Sequence, residues 1–350
     1  MYQSVIELLQ MFFPDGEENL PALENEELQA WVLLTLANAY YMSGQSKLAI
    51  TYHNKANKLN KWNPAALGDG VGGLAHAQLS MGLLREAEKH SYLYIRYSNY
   101  AEDVFSEANG RSLFAMVLFV RGLWYEAEQE LAKSHKFFES QGEPAGMRIV
   151  VSYQTIFSLM RARWQIAYGQ PESEYLESAL KSAREVLKLA DETARIDFPR
   201  ERDFVISHWI LGAANRANNN LVEAEAHLSE ALTRDRAIND VPDEAHILLD
   251  LARLSFDYGL SSSAQDKLKH FENAKSFAEE ALIITERCGY VLQGADVNLF
   301  LAQYALEQEK DKAKAKEYAE TALKLATCDG PPYYYKVAYE EAERFLKNLK

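Results

Sequence analysis

The chain has 350 residues, a net charge of −14 and 48% apolar residues. That length exceeds the ~250–300 residues at which single cores stop growing, and the acidic surface disfavours phosphate backbones and anionic membranes. Two cysteines, Cys288 and Cys328, make no disulfide framework in a chain of this size, and free, buried or half-buried thiols fit a reducing compartment.

The N-terminal MYQSVIELLQ has no basic n-region and carries Glu7, so it does not read as a signal peptide. No apolar run reaches the ~20 residues of a membrane helix. A cytoplasmic protein is expected. Ser4 to Phe13 reads as a short amphipathic helix, ended by Pro14-Asp15-Gly16, with a polar linker to about residue 25.

Helical hairpins then follow one another. The first starts near Glu26, with Trp31, Leu33, Leu36, Ala37 and Tyr40 at helical spacing, turns at Gly44 and closes at Asn63-Pro64. The second runs from about Gly70 and turns at Gly82; the third runs from about Asn109 and turns at Gly122. The fourth is irregular: Met147 to Tyr168, a break at Gly169-Gln170-Pro171, then Glu174 to Glu192. The fifth turns at Asn218-Asn219-Asn220, and Asn tolerates the left-handed conformation best after Gly. The sixth turns at Gly259, and the extra SSSAQDKLKH reads as a long loop. The seventh covers about Gly294 to Ala326. A last helix, Tyr334 to Leu349, has an apolar stripe of Ala338, Ala342, Phe345 and Leu349, and charges elsewhere that suit a terminal cap.

The second helices carry small or apolar triplets at i, i+4, i+7, from Ala49-His53-Ala56 to Ala315-Ala319-Ala322. Their first members lie 38, 40, 56, 41, 50 and 41 residues apart by residue number. A recurring period of this size means a stacked array with an extended concave surface. Gly142, Asn239, Gly289 and Gly330 recur in phase as helix stop residues. The expected architecture is all-α: a solenoid of about seven hairpins over 26–330, preceded by a helix and linker over 1–25 and closed by a capping helix over 331–350.

The order Leu33, Leu36-Ala37, Tyr40, Gly44, Ala49, Ala56 resembles tetratricopeptide repeats (TPR), as do Leu211-Gly212, Ala224 and Ala231, and Leu251-Ala252 with Gly259. The resemblance covers roughly residues 26–330 and implies a right-handed α-solenoid that binds protein or peptide. The period nearer 40 than 34, with AREVLKLADET, ITERCGYVLQGADV and ATCDGPPYYYKVAYEEAE, is similar to the C-terminal sensor arrays of STAND-type signalling ATPases (NACHT or NB-ARC proteins). No ATPase portion is in this chain.

Chemistry is sparse. Gly68-Asp69-Gly70-Val71-Gly72-Gly73 contains GxGxxG, but no strand pattern precedes it, so small residues at a helix crossing explain it better than a dinucleotide site. The eight histidines show no HExxH or zinc spacing, and no GxSxG or phosphate loop occurs. Neither a cofactor, a metal nor a catalytic residue is expected. The resemblance places first helices along the concave groove, where Trp31, Asn38, Tyr41, His76, Phe119, Trp209, Arg216, His246, Arg253 and Phe256 are offset from the core stripe. Aromatic and Arg side chains dominate binding hot spots. Asn38 matches one position of the chaperone-binding carboxylate clamp, but Gly72 and Gly73 stand where the next Asn is needed. The expected function is a protein- or peptide-binding module. A receptor whose small-molecule or signal-peptide effector closes the superhelix is the alternative, and an enzyme is a third, less favoured reading.

Overall fold

Seven helical hairpins stack between an N-terminal helix and a C-terminal helix in a computed structural model that describes residues 2–170, 173–197 and 199–349. The chain is 83% helical. Helix α1 (Tyr2–Gln10) packs on the first hairpin, α2 (Glu26–Met42) with α3 (Ser46–Leu59). Then come α4 (Pro64–Ser80) with α5 (Leu84–Tyr100), and α6 (Val104–Val120) with α7 (Trp124–Gln141). Helix α8 (Pro144–Ala167) pairs with α9 (Ser173–Ile196), and α10 (Glu201–Ala217) with α11 (Leu221–Ile238). Helix α12 (Val241–Ser261) pairs with α13 (Ala264–Cys288). Helix α14 (Val291–Tyr304), continued by a π-turn over Ala305–Glu309, pairs with α15 (Lys312–Ala326), and α16 (Lys336–Asn348) ends the array.

The alanine triplets explain the pairing. Ala49, Ala87, Ala127, Ala183, Ala224, Ala274 and Ala315 are all fully buried, where each second helix crosses its first. Small side chains let the two backbones approach. In α4 the glycines do the same from the other side: a Cβ on Gly70 would fall 1.8 Å from the Asn57 side chain, and one on Gly73 2.1 Å from the His53 ring. The GxGxxG string therefore lies inside a helix, at a crossing.

Several expectations need correction. Asn63-Pro64 opens the second hairpin: the Asn63 side chain accepts from the Ala66 N–H at 3.2 Å and Pro64 occupies the first helical turn. Residues 261–270 form no long loop; the sixth hairpin turns at Ser262 and Ser263, and the extra residues lengthen α12 and α13 to 21 and 25 residues. Gly259 is no turn residue either. It sits inside α12 because the Phe271 ring packs where its Cβ would be, 2.5 Å away. Gly142, Asn239 and Gly289 cap their helices in the left-handed region, whereas Gly330, also left-handed, lies in the loop beyond α15. Pro171 of the fourth turn lies outside the described residues.

The array winds back on itself. The turns of the first three hairpins sit against the junctions before α12, α14 and α16, five hairpins further along. A Cβ on Gly44 would lie 2.7 Å from the Cys288 thiol and 2.9 Å from Val241; one on Gly82, 2.7 Å from Val291; one on Gly122, 2.0 Å from Lys336. Each of these glycines has positive φ, so the turn and the close approach both favour glycine. The free cysteines lie in this seam, Cys288 buried and Cys328 half-buried. Arg85 and Arg121 stack on Tyr333 at 4.3 and 3.9 Å, and the Arg85 amide donates to Asp329 at 2.9 Å.

Candidate binding surface

First helices touch first helices along the array, α2–α4–α6–α8–α10–α12–α14–α16, and so form the inner layer. Helix α2 also meets α12, α4 meets α14 and α8 meets α16, which closes the superhelix around its interior.

The inner face has two characters. In its C-terminal half, polar groups satisfy one another. The Trp209 indole donates to Asp250 at 2.9 Å and stacks on His246 at 4.7 Å. Arg253 reaches the other Asp250 oxygen at 3.1 Å, and Arg216 pairs with Asp257 at 3.0 Å. Burial works against the Asp250 anion, but Arg253, Arg216 and the Trp209 N–H outweigh it and hold its pKa below the ordinary value. His246 contacts Gln293 at 3.0 Å; burial pulls its pKa down. Arg163 of α8 reaches across to Asp296 at 2.7 Å and Glu341 at 2.6 Å. Burial opposes that cation, yet the two carboxylates raise its pKa well above the usual value. Arg148 pairs with Asp203 at 2.7 Å.

The N-terminal half is more open. Trp31 is 59% exposed, and Asn38 and His76 are exposed on adjacent first helices. Tyr41 is half-buried and shares a hydrogen bond with Ser80 at 3.1 Å. Tyr153 of α8, which periodicity did not single out, is half-buried beside this group; burial first, then Tyr41, raise its pKa to about 12. Desolvation by the surrounding inner layer first, then the Arg202 cation, lower the His76 pKa to about 4, although the side chain itself reaches solvent.

The structure thus brings Trp209, Arg216, His246 and Arg253 into one network, and leaves Trp31, Asn38 and His76 exposed, with Tyr41 half-buried where α2 meets the later hairpins. It does not bring Phe119 and Phe256 to the surface. Phe119 is fully buried, with its ring 3.8 Å from Phe157, and Phe256 packs among Phe271, Phe300 and Tyr304. Both fill the apolar core between neighbouring helices, so neither offers contact area to a partner. Sequence reasoning also missed Arg163, Arg202, Asp250 and Asp296. An Arg that interrupts an apolar helix stripe, as Arg163 does, was the available signal.

Two clefts, of about 480 and 440 Å³, lie in the outer layer beside α9 and between α7, α8 and α9. Neither is lined by the sequence-predicted residues. No helix among the described residues is long and apolar enough to cross a membrane.

No protein-family model matches the sequence, and no curated protein does. Solved structures do. A Rap protein complexed with competence and sporulation factor aligns over 99% of this chain and 91% of its own, with 12% identity and a TM-score of 0.56. A signal transduction ATPase with numerous domains (STAND) bearing a tetratricopeptide repeat sensor, from Pyrococcus horikoshii, aligns over 94% of this chain at 17% identity and a TM-score of 0.45; the match spans 50% of that ATPase. The human IFIT1 dimer with m7Gppp-AAAA aligns over 99% of this chain and 68% of its own, at 14% identity and a TM-score of 0.45. The Rap likeness shows the fold: an all-α, TPR-like solenoid.

Proposed function

We propose that the chain is a recognition module that takes a peptide or an extended protein segment on its inner face. The observation that carries this reading is the contrast between the two halves of that face. On the C-terminal first helices Trp209, Arg216, His246, Arg253 and Asp296 are each held by a side-chain partner. Trp31, Asn38 and His76 on α2 and α4 are exposed, and a partner covering them breaks no ion pair among the described residues. An exposed Trp at the mouth of a concave surface is the side-chain type that anchors interfaces.

A peptide is favoured over a folded protein because the contacts of α2 with α12, α4 with α14 and α8 with α16 close the superhelix on itself, which shuts a bulky partner out of the inner face. The Rap structure, alike in fold, is complexed with competence and sporulation factor, which supports reading this fold as one that holds a bound factor. A role as sensor of a signalling ATPase is a narrower proposal that rests on the quoted sequence stretches alone. Cytoplasmic location and a preference for protein over nucleic acid rest on composition.

The test is a binding isotherm of the double variant Trp31→Ala, His76→Ala against the partner recovered by pull-down, with circular dichroism as folding control. A hot spot at Trp31 costs about 2 kcal/mol or more. Unchanged affinity in a folded double variant sinks this placement. Loss of affinity only in Trp209→Ala, Arg253→Ala moves the site to the C-terminal half.

A further inference from the structure

Where the first hairpin meets the sixth, the seam buries more acid than base. Arg202 of α10 donates from Nε to Asp240 at 2.7 Å and pairs through Nη2 with Asp243 at 2.9 Å. Asp235, in the last turn of α11, is 0% exposed, and neither of its carboxylate oxygens has a hydrogen-bond partner among the described residues. Asp240 is equally buried, with one oxygen unpartnered.

The surrounding elements supply little compensation. Tyr2 of α1 and Tyr41 of α2 face the cluster, as do Asp243 and Glu244 of α12 and Tyr290 at the start of α14. Cys288 lies beside Tyr290. Of the other cations nearby among the described residues, Arg148, which feels Arg202 and Arg200, is paired with Asp203, and Arg236 on α11 itself pairs with Glu244 and Glu280. One guanidinium therefore stands against three buried aspartates. A buried carboxylate without a partner takes up a proton instead of ionising. Burial, then Asp243 and Asp240, push Asp235 up to about 9 from an ordinary 3.8; burial and Asp243 also raise Asp240, against the pull of Arg202. No group of three or more His, Cys, Asp or Glu among the described residues is arranged to hold a metal ion.

We propose that this seam is a proton-dependent closure: the superhelix shuts with a proton held on the buried Asp235 and Asp240 pair, and loss of that proton drives the first hairpin away from the sixth. The direction follows from linkage. A folded pKa above the unfolded one gives a stability contribution that is fully present below about 4 and is lost as pH rises through about 9. The opened state frees Tyr41, which lines both the seam and the inner face, so ligand access and pH become coupled. That consequence rests on the peptide reading above; the closure itself does not.

The experiment uses the protein alone, so its failure is distinct from a failure of the peptide reading. Hydrogen exchange of the α2 turn and the start of α12 is followed from pH 6 to pH 8, corrected for intrinsic exchange, together with melting curves. One released proton raises opening up to about tenfold per pH unit. Faster exchange confined to these segments is expected, with a falling Tm. Asp235→Asn keeps the shape without the charge, so it should raise the Tm at pH 8 and flatten the pH dependence. No pH dependence in the wild type overturns the proposal. So does an Asp235→Asn protein that melts below the wild type at pH 6, because that would mean the carboxylate has a stabilising partner.

Discussion

Trp164 donates its indole N–H to Glu340 at 2.8 Å, joining the fourth hairpin to the C-terminal helix across 176 residues of sequence. Tyr168 donates to the same carboxylate oxygen at 2.9 Å, Lys336 bonds the other, and Arg344 lies over the Tyr168 ring at 3.8 Å. The charged side of α16, which as a terminal cap would face water, instead clamps α8. Glu340→Gln weakens a charge-assisted set that is only half-buried, and a loss of about 1–3 kcal/mol is expected. Thermal unfolding measures it, and the emission of Trp164 should shift to the red. An unaltered melting curve would show that the clamp contributes nothing.

The same carboxylate sets an acid limit. Burial works against the Glu340 anion, but Lys336, Trp164 and Tyr168 outweigh it and hold its pKa below the ordinary value. A depressed folded pKa means stability that is complete above the unfolded value and disappears as pH falls through the folded one. Below about pH 4 the contact between α8 and α16 should therefore loosen first. Acid titration of the Trp164 signal, compared between wild type and Glu340→Gln, checks this; identical titrations would refute it.

Gly82 and Gly169 separate two costs. Both are turn glycines with positive φ, at 69° and 64°. Among the described residues a Cβ at Gly169 meets nothing within 4 Å, while at Gly82 it meets Val291 at 2.7 Å. Gly169→Ala should cost the conformational penalty alone, about 1–2 kcal/mol. Gly82→Ala should add an overpacking term of about 1–3 kcal/mol. Equal losses in denaturant unfolding would mean that the seam gives way freely.

Ala224 is fully buried where α11 crosses α10, with Leu228 one turn on filling the space left by Gly212. Ala224→Leu inserts three carbons into that crossing and should cost about 1–3 kcal/mol. Chemical denaturation gives the value. A variant as stable as the wild type would mean that the crossing has slack.

What was legible in the sequence was everything with a local cause. Spaced alanines mark hairpin crossings because each crossing is made by neighbours in the chain. Gly142, Asn239 and Gly289 mark helix ends because a left-handed residue is a local requirement. Asn63-Pro64 and the 261–270 stretch are misread locally, but other misreadings have the opposite origin. Gly259 looks like a turn until Phe271 is placed against it, and Phe119 looks like a groove residue until Phe157 stacks on it. The pairing of Arg163 with Asp296 and Glu341 spans over a hundred residues and leaves no periodic trace. The ends of the hairpins carried pattern; the closure of the superhelix carried none.

An open solenoid can gain or lose a hairpin and remain a solenoid, since each unit answers only to its neighbours. Here the turns at Gly44, Gly82 and Gly122 must meet partners five hairpins away. Removing one unit from the middle would bring Gly44 opposite the wrong junction and set Arg163 beyond reach of Asp296. The closure thereby ties this fold to one number of repeats, and the chain should melt in one cooperative step where an open array would fray from its ends.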